Sequence, residues 1–469
     1  MSEVREFSTP PSPEFSIQIP DIDKPRVVLI GGGFGGTQFA KLLSDTSYQL
    51  VMFDRHNYHT FQPLLYQVAT AGLEPDSIAA PLRQMFDNKR NFHFRMALVN
   101  EIKPEQNCIC TSIGELRYDI LVISTGSRTN YFGNDELIKK CFPLKQVPQA
   151  LDMRSQTLQN LEKAVLTHDL KIQEGLLNYV VVGGGPTGVE LAGSFAELKK
   201  HVLPRDYPEL DFRRMNIYLV EGSPKLLGAM SEKSSDDALR YLQEMGVNVV
   251  LNNVVQSYDG ETVFLKDGST LRSKTLIWAA GVKGNLVPGL KEECLLKGNR
   301  ILVDEFNRAK CYENIYAIGD VAAMVNENQK MGHPMLAPVA KQQGEQLAKN
   351  LNDHARGRYM KPFKYTDKGT MATVGRNRAV VDLPNKWHLN GFIAWLAWMF
   401  VHLLFLIGFR SKLIVMMNWI WSYFTYDKGT RLIIRPYVKP NNPAEKEPLP
   451  KEVAEHTPGA EKAATASLR

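Results

Sequence analysis

Two glycine-rich segments have the residue types and spacing to bind the diphosphate of a dinucleotide. The first reads GGGFGG and directly follows the apolar run RVVLI at residues 26–30. Glycines in the pattern GxGxxG allow a tight turn after a strand and let the backbone approach phosphate oxygens at a helix N-terminus. We therefore predict a first dinucleotide site, whose contacts are Gly31, Gly33, Phe34, Gly35 and Gly36.

An acidic residue follows this segment at the distance expected for a ribose contact. The next apolar run, LVMF, ends at Asp54, which is eighteen residues beyond Gly36, and Arg55 comes directly after it. A carboxylate at the end of the second strand can accept hydrogen bonds from ribose hydroxyls. We predict that Asp54 and Arg55 complete the first site.

The same arrangement recurs 152 residues later. The run YVVV leads into GGGPTG and then into a helical pattern, and the later run NIYLV ends at Glu221. An acid at this place repels the 2′-phosphate of NADPH, so the second site is predicted to prefer NADH. Its predicted contacts are Gly183, Gly185, Thr187, Gly188 and Glu221, together with Gly281, where the lack of a side chain lets the nicotinamide approach.

Two further segments indicate which nucleotide each site binds. LVISTG, which ends at Thr125 and Gly126, and IYAIGD, which ends at Asp320, look like the two flavoprotein motifs that contact FAD. The second of these lies far beyond the second glycine-rich segment. We therefore expect FAD at the first site and NADH at the second, with the FAD domain interrupted by the NADH domain.

Apolar strands alternate with helical patterns along the chain, which predicts an α/β protein with parallel sheets. The expected fold is the two-dinucleotide-domain flavoprotein fold, in which two Rossmann-like domains are followed by a C-terminal membrane-anchoring helical region. The predicted boundaries are residues 1–24 for a disordered arm, 25–145 and 299–375 for the FAD-binding domain, 146–298 for the NADH-binding domain, 376–435 for the membrane-anchoring region and 436–469 for a disordered tail.

The composition excludes several other classes of protein. Of 469 residues, 44% are hydrophobic and 23% are charged, which is ordinary for a globular protein and excludes a wholly disordered chain. A net charge of +6 is too small for this length to indicate nucleic acid as a partner. The acidic N-terminus does not resemble a secretion signal or transit peptide, and the five cysteines lack regular spacing. We therefore expect catalysis in a reducing, cytoplasmic environment.

One apolar segment does not fit the α/β pattern. Residues 391–409 carry no charge, and a second aromatic and apolar run follows at 413–426. Tryptophans and basic residues both concentrate around this region, as they do at membrane–water interfaces. We predict helices that lie in a membrane surface and do not build the core, with one transmembrane helix at 391–409 as the alternative. The flanking basic residues are Lys386, Arg410 and Lys412.

The five cysteines and this apolar segment together indicate the electron acceptor. Cys108 and Cys110 have the spacing of neighbours on one face of a strand, and Cys141, Cys294 and Cys311 are isolated in the sequence. A redox disulfide is therefore not expected, and no cluster of His, Cys and carboxylate residues has the spacing of a metal site. A flavoenzyme at a membrane surface points to a lipid-soluble acceptor, a quinone.

These residues resemble the type II NADH:quinone oxidoreductases, single-subunit NADH dehydrogenases that do not pump protons. The similarity spans residues 25–435 and includes NYHTFQPLLYQVA at 57–69 and the C-terminal elements GFR and NWIW. The resemblance implies FAD and NADH as cofactors and ubiquinone or menaquinone as the acceptor of two electrons. It also implies a homodimer that is attached peripherally to the cytoplasmic face of the inner membrane.

The resemblance also assigns catalytic roles. Glu190 matches the family glutamate in GPTGVE, which is implicated in the quinone step, and its place early in a helix could perturb its pKa. The family quinone motif AQxAxQ corresponds to residues 337–342, but Pro338 replaces its first glutamine. Gln342 is therefore expected to position the quinone carbonyl. His402, the single histidine of the apolar run, is expected to be a packing residue.

Two other functions remain open from the sequence. One is a flavin reductase with a soluble acceptor, of the ferredoxin or rubredoxin reductase type, which would stay soluble without detergent. The other is a dinucleotide-binding redox sensor, which would show no steady turnover of NADH with short-chain quinones.

Overall fold

The computed structural model describes residues 16–327, 329–385 and 387–438. Most of the predicted arm and tail, residues 1–15 and 439–469, lies outside the described residues, as does the predicted flanking residue Lys386. The described chain contains two parallel five-stranded sheets, six smaller sheets and a C-terminal pair of helices.

The first sheet is built from apolar runs on both sides of the second domain. Its central strand, Arg26–Ile30, pairs in parallel with Gln49–Asp54 on one side and with Ile120–Ile123 on the other. Nearly all side chains of these strands are buried, as expected for a parallel sheet covered on both faces. The strand order is Ile315–Ala317, Ile120–Ile123, Arg26–Ile30, Gln49–Asp54 and Phe92–Met96. Because Ile315–Ala317 returns to this sheet after the second domain, the predicted interruption of the first domain is confirmed.

The second sheet repeats the design of the first. Its central strand, Tyr179–Val182, is fully buried and pairs in parallel with strands on both sides. The central strand of each sheet runs directly into one of the glycine-rich segments. The strand order is Phe142–Pro143, Thr275–Trp278, Tyr179–Val182, Ile217–Val220 and Val247–Val250.

Helices connect these strands, and one helix follows each glycine-rich segment: α1 (Phe34–Leu42) follows the first and α7 (Pro186–Glu197) follows the second. The α-helices of the described residues are α1 (Phe34–Leu42), α2 (Leu65–Ala69), α3 (Leu82–Met85), α4 (Asp135–Lys140), α5 (Val147–Val165), α6 (Leu170–Leu177), α7 (Pro186–Glu197), α8 (Leu203–Asp206), α9 (Glu232–Glu244), α10 (Ala337–His354), α11 (Gly391–Phe405) and α12 (Phe409–Thr425). A π-helical turn, Leu198–Val202, joins α7 to α8.

The remaining strands of the described chain form six small sheets. These are Tyr58–Thr60 with Ala79–Pro81; Val99–Lys103, Cys108–Thr111 and Gly114–Arg117; Ser127–Thr129 with Val282–Gly284; Val255–Tyr258, Thr262–Leu265 and Thr270–Arg272; Leu295–Leu296, Arg300–Val303 and Ala322–Met324; and Thr370–Thr373, Ala379–Asp382 and His388–Asn390.

Two segments predicted to be disordered pack against the domains where they are described. Residues 16–24 are predicted to belong to the arm, but Ile17 is 6% exposed within the core of the first domain. The predicted tail starts at residue 436, yet the ring of Tyr437 packs on Phe142, with centroids 5.0 Å apart. Both predicted disorder boundaries are therefore wrong. In each segment a single side chain, Ile17 or Tyr437, packs against a domain, and one such residue in a polar segment produces no recognisable sequence pattern.

Two predicted domain boundaries cut through structural units. Residues up to 145 are predicted to belong to the FAD domain, but Phe142–Pro143 is already an edge strand of the second sheet. The boundary at residue 375 divides the hairpin of Thr370–Thr373 and Ala379–Asp382, which leads into the C-terminal helices. The strand Phe142–Pro143 has only two residues, and the strand Thr370–Thr373 is half polar. Neither contains the apolar run by which the other strands are recognised in the sequence.

The C-terminal helices complete the core and also expose apolar surface. In the segment predicted to anchor the protein without building its core, Ala394, Trp398 and Val415 are at most 2% exposed and belong to a hydrophobic core that extends from the second domain to residues 61–78 and 372–381. That expectation is therefore wrong in part. The opposite faces of α11 and α12 expose large apolar side chains, which include Phe392, Ile393, Leu396, Phe400, Leu404, Phe409, Leu413, Met417, Ile420, Trp421 and Phe424.

The apolar run predicted at residues 391–409 does not form one continuous helix. Helix α11 ends at Phe405, after fifteen residues, and Leu406 has an extended backbone. Among the described helices, none combines the length and the apolar character needed to cross a membrane.

The cysteines differ in one respect from the sequence prediction. Cys294 and Cys311, which look isolated in the sequence, form a disulfide. The antiparallel strands Leu295–Leu296 and Arg300–Val303 lie between them, and the chain that folds back in this way brings the two residues together, which linear spacing does not show. Cys108 and Cys110 lie on the strand Cys108–Thr111, as predicted. Among the described residues, no group of three His, Cys, Asp or Glu side chains is arranged to hold a metal ion.

Candidate functional site

The turn after Arg26–Ile30 has the geometry of a diphosphate site. Gly31 has a φ of +105°, and a Cβ atom there would lie 2.3 Å from the carbonyl oxygen of Ser124. Gly33 precedes α1 and has open space where a Cβ atom would be, which leaves room for a ligand at the helix N-terminus. The other predicted contacts, Phe34, Gly35 and Gly36, form the first turn of α1.

The carboxylate of Asp54 is held by the backbone of this turn. Its Oδ2 accepts the N–H of Gly32 at 2.7 Å, and its Oδ1 accepts the N–H of His56 at 2.8 Å. Each carboxylate oxygen has further lone pairs, so Asp54 is fixed in place and can still accept from a ribose. The predicted neighbouring contact, Arg55, is exposed.

Buried polar atoms without partners mark the space beside the first turn. Within the described chain, Thr125 Oγ1 and His59 Nε2 are buried and have no hydrogen-bond partner. Because buried polar atoms are normally paired, these two fit the needs of a ligand. Gly126 follows with a φ of +68°, and Asp320 accepts the hydroxyl of Ser127 at 2.5 Å. A dinucleotide rich in hydroxyl and amide groups, such as FAD, fits this set of residues.

The two adjacent glutamines at the start of α10 have different partners. Gln342, the predicted quinone-positioning residue, donates its amide to the carbonyl of Thr366 and accepts the Thr366 N–H, both at 2.9 Å. Gln343 is 1% exposed, and its Oε1 accepts the N–H of Gly319 at 2.7 Å. Gln343 therefore fixes the loop that carries Asp320. Sequence reasoning missed this residue, although it adjoins the predicted motif.

The second glycine turn repeats the geometry of the first. Gly183 has a φ of +110°, and a Cβ atom there would lie 2.6 Å from the carbonyl oxygen of Ala279. Glu221 accepts the N–H of Gly184 at 2.5 Å and the N–H of Ser223 at 2.8 Å, as Asp54 does in the first turn. The remaining predicted contacts lie at the start of α7, where Gly185 is the N-cap and Thr187 and Gly188 belong to the first turn.

A cleft between the two domains, here named cleft A, begins at this second turn. It encloses about 620 Å³, part of which is open to solvent. The predicted contacts Thr187 and Gly281 both line it, as does Glu190. Other residues of its wall are Gln62, Tyr66, Thr129, Lys145 and Trp278.

A second cleft, here named cleft B, lies beside α7 under the C-terminal helices. It encloses about 670 Å³, also partly open to solvent. Tyr66 and Glu190 line both clefts, so Glu190 stands where the two spaces adjoin. The wall of cleft B is largely aromatic on the side of α11 and α12, where it contains Trp395, Trp398, Trp419 and Tyr423.

Burial dominates the electrostatics of Glu190. Its removal from water raises the pKa from 4.5 to about 8. The backbone N–H of Thr373, 3.5 Å from Oε1, and the indole N–H of Trp398 lower the pKa and offset part of this rise. Glu190 is therefore mainly protonated at neutral pH, and it can hold a proton between the two clefts.

Polar side chains continue from Glu190 along the same face of α7. Ser194, one turn further, accepts a hydrogen bond from Lys428 Nζ at 3.2 Å and lies 2.7 Å from the hydroxyl of Thr70. Glu197, another turn along, accepts the backbone N–H of Arg376. Burial lowers the pKa of Lys428, while the Glu197 carboxylate opposes that shift. This row of groups leads from the buried carboxyl to the partly exposed end of cleft B.

The aromatic wall is held by specific contacts. Trp419 donates its indole N–H to Gln67 Oε1 at 2.8 Å, and Trp398 stacks on His402 with ring centroids 4.0 Å apart. His402 donates Nδ1–H to the carbonyl of Trp398 at 2.7 Å, and burial lowers its pKa to about 4. These contacts agree with the expected packing role of His402.

Sequence reasoning missed most of cleft B. Tyr66 and Gln67 lie within the segment 57–69 that carries the family resemblance, so a signal for them existed. Trp398 was hidden in a run whose aromatic content indicates a membrane surface. Lys428 and Arg376 lie in segments without a motif, and only the folded chain brings them to α7.

Comparison with known families agrees with this architecture. The profile of the pyridine nucleotide-disulphide oxidoreductase family matches residues 25–344, and the profile of the NDH2 C-terminal domain matches residues 368–425. The first profile covers both glycine turns and both parallel sheets. The second covers the hairpin and the helices that form the wall of cleft B.

Individual relatives narrow the family further. The type II NADH:quinone oxidoreductase Ndh of Mycobacterium tuberculosis is 33% identical over 86% of this chain and 89% of its own length. The type II enzyme of Haemophilus influenzae is 29% identical over 78% and 88% of the two chains. The structure of NDH2 from Plasmodium falciparum in complex with NADH shares the fold, with a TM-score of 0.81, 22% identity and coverage of 88% and 100%. The two glycine turns, the two clefts and these relatives together place this chain in the type II NADH:quinone oxidoreductase family.

Proposed function

We propose that this protein oxidises NADH in cleft A and reduces a quinone in cleft B. Cleft A begins at the second glycine turn and has a side-chain-free position at Gly281. Cleft B is aromatic and lies beneath helices whose outer faces are apolar, which suits a lipid-soluble ring. The observation that carries the proposal is Glu190, whose carboxyl group lines both clefts.

FAD, when bound, supplies a ring system that accepts two electrons with a hydride and passes them to the second substrate. The first turn and the loops beside it are proposed to hold it, through Gly31, Gly33, Phe34, Gly35, Gly36, Asp54, Arg55, Thr125, Gly126 and Asp320. The second turn is proposed to hold NADH, through Gly183, Gly185, Thr187, Gly188, Glu221 and Gly281. The Glu221 carboxylate would repel a 2′-phosphate and so select NADH over NADPH.

Glu190 is proposed to deliver a proton to the quinone. Reduction of a quinone to a quinol consumes two protons, and a carboxyl group whose pKa is about 8 carries one at neutral pH. The row formed by Ser194, Lys428 and Glu197 supports a route by which that proton is replaced from solvent. Gln342 stays a predicted quinone contact, although its amide is hydrogen-bonded to the backbone of Thr366.

The quinone is proposed to enter cleft B from a membrane that α11 and α12 touch. Their exposed apolar faces fit the acyl boundary of a bilayer. Two lysines lie near the end of α11, where it joins α12. Lys341 Nζ is 4.6 Å from the ring centre of Phe405, and Lys412 Nζ donates to the carbonyl of Leu404 at 2.8 Å. This arrangement supports peripheral attachment to anionic lipid, which we place at the cytoplasmic face of the inner membrane.

The experiment that tests this function follows the visible absorbance of the flavin under argon. NADH should bleach it, and a short-chain quinone, ubiquinone or menaquinone in type, should restore it. A protein without flavin absorbance, or one whose absorbance is restored by ferredoxin and not by quinone, would overturn the proposal. Family membership leads us to propose a homodimer as well, and light scattering of the detergent-solubilised protein that shows a monomer would overturn that.

A further inference from the structure

Cleft A contains an ammonium group that the proposed reaction does not use. Lys145 lies just beyond the edge strand Phe142–Pro143, at the carboxyl end of the second sheet, where parallel sheets bind their ligands. Its side chain is largely buried and lines the cleft together with Glu190 and Gly281. Among the described residues that line cleft A, Lys145 is the one cation.

The charge of Lys145 is only partly compensated. Its Nζ lies 3.8 Å from Oδ2 of Asp320, which is an ion pair beyond hydrogen-bond distance. That oxygen already accepts the hydroxyl of Ser127 at 2.5 Å. Burial lowers the pKa of Lys145, and the Asp320 carboxylate opposes that shift. A buried cation with one distant carboxylate would be stabilised by a further negative charge arriving in the cleft.

The Asp320 carboxylate also acts on a second buried cation, Arg300, but that cation is compensated in a different way. Its guanidinium donates to the carbonyls of Met331 at 2.7 Å and His333 at 2.9 Å, and also to the carbonyl of Ala322. These bonds tie Arg300 into the protein, so it supports the fold around the strand Ala322–Met324. Lys145 differs because its side chain lines the cleft and its Nζ has Asp320 as its ionic neighbour, 3.8 Å away.

We propose that Lys145 balances the charge of the reduced flavin and so raises the redox potential of the bound FAD. This inference rests on the proposed placement of FAD beside Asp320 and of NADH at Gly281. Hydride transfer moves one hydrogen and two electrons from NADH, which leaves NAD⁺ and a reduced flavin with one negative charge. A largely buried ammonium group beside the flavin favours this charged product over the neutral oxidised flavin, and thereby favours NADH oxidation.

The test is a redox titration of the bound FAD in Lys145→Met, Lys145→Arg and a control, Lys140→Met. In Lys145→Met we expect the ratio of reduced to oxidised flavin to fall about tenfold at a given potential, which is about 30 mV for a two-electron couple. Lys145→Arg keeps the charge and should titrate close to the unchanged protein. Lys140 is paired with Glu136 at 3.2 Å outside the cleft, so its removal should not move the potential.

An unchanged potential in Lys145→Met, with FAD bound at the usual stoichiometry, would overturn the proposal. If Lys145→Met does not retain FAD, Lys145→Gln is titrated in its place. Loss of FAD from both variants would also overturn it, because Lys145 would then support the FAD site and not the redox balance. A wrong placement of FAD shows itself separately, since Asp320→Asn would then leave the affinity for FAD unchanged.

Discussion

Replacement of Glu190 by glutamine tests the electrostatics between the two clefts. Burial raises the pKa of this carboxyl from 4.5 to about 8. Below pH 4.5 the group is protonated in the folded and unfolded chains alike. Between the two values the folded chain keeps a proton that the unfolded chain releases, so stability falls as the pH rises through this window.

The size of this effect follows from the pKa shift. One pKa unit corresponds to about 1.4 kcal/mol, so burial of Glu190 lowers the free energy of unfolding by about 3 kcal/mol at pH 7 and about 4 kcal/mol at pH 8, relative to its value at low pH. Glutamine has nearly the same shape and does not titrate. We therefore expect the stability advantage of Glu190→Gln over the unchanged protein to grow across this range.

The assay compares the melting temperatures of the two proteins at several pH values from about 5 to 8. Their difference should increase steadily with pH, in favour of Glu190→Gln. Stopped-flow measurement of the same variant should show slow reoxidation of the flavin by quinone and normal reduction by NADH. A difference in melting temperature that stays constant with pH would refute the claim that Glu190 is buried and protonated. An unchanged rate of flavin reoxidation by quinone would refute its role as proton donor.

Four other substitutions or deletions test separate parts of the site. Glu221→Gln should relax the preference for NADH over NADPH in kcat/KM by about 1–3 kcal/mol, and an unchanged ratio would place Glu221 away from the ribose. Trp398→Phe removes a buried indole N–H that lines cleft B with Glu190 and lowers its pKa although it completes no hydrogen bond in the structure, so the alkaline limb of the quinone half-reaction should move to higher pH; a limb that stays in place would show that the indole does not act on this carboxyl. Gln342→Ala should slow flavin reoxidation by quinone about three- to tenfold, a loss of up to about 1.4 kcal/mol, and leave reduction by NADH nearly unchanged, whereas an unchanged reoxidation rate would show that Gln342, whose amide is bonded to Thr366, does not contact the quinone. A chain that ends at Asn385 loses Ala394 and Trp398 from the core and should melt at a lower temperature with impaired quinone reduction; full stability and turnover would show that α11 and α12 serve only as an anchor.

The dinucleotide turns could be predicted because their chemistry is local. Gly31 and Gly183 each follow an apolar strand directly, and the strand, turn and helix are consecutive in the chain. Asp54 ends, and Glu221 directly follows, a strand that pairs with one of those central strands, so their positions follow from the parallel sheet. The order of the two nucleotides followed from Asp320, whose motif lies beyond the inserted domain.

Cleft B could not be predicted because its wall is assembled from distant segments. Tyr66, Glu190, Trp398 and Lys428 come from four parts of the chain, and no linear pattern relates them. The apolar run at 391–409 both contributes side chains to the core and exposes apolar side chains at the surface. Its sequence pattern does not show which face of the helix is buried. Lys145 was missed for a similar reason, since its edge strand has only two residues.

The central claim is that NADH and quinone occupy different clefts, and simultaneous binding tests it most directly. Calorimetry can measure the Kd of NAD⁺ for the oxidised holoenzyme, first alone and then with a saturating short-chain quinone. Separate clefts predict that the Kd changes by less than about twofold, which is a small coupling free energy. An apparent Kd for NAD⁺ that rises in proportion to the quinone concentration would show one shared site and would contradict the two-cleft account.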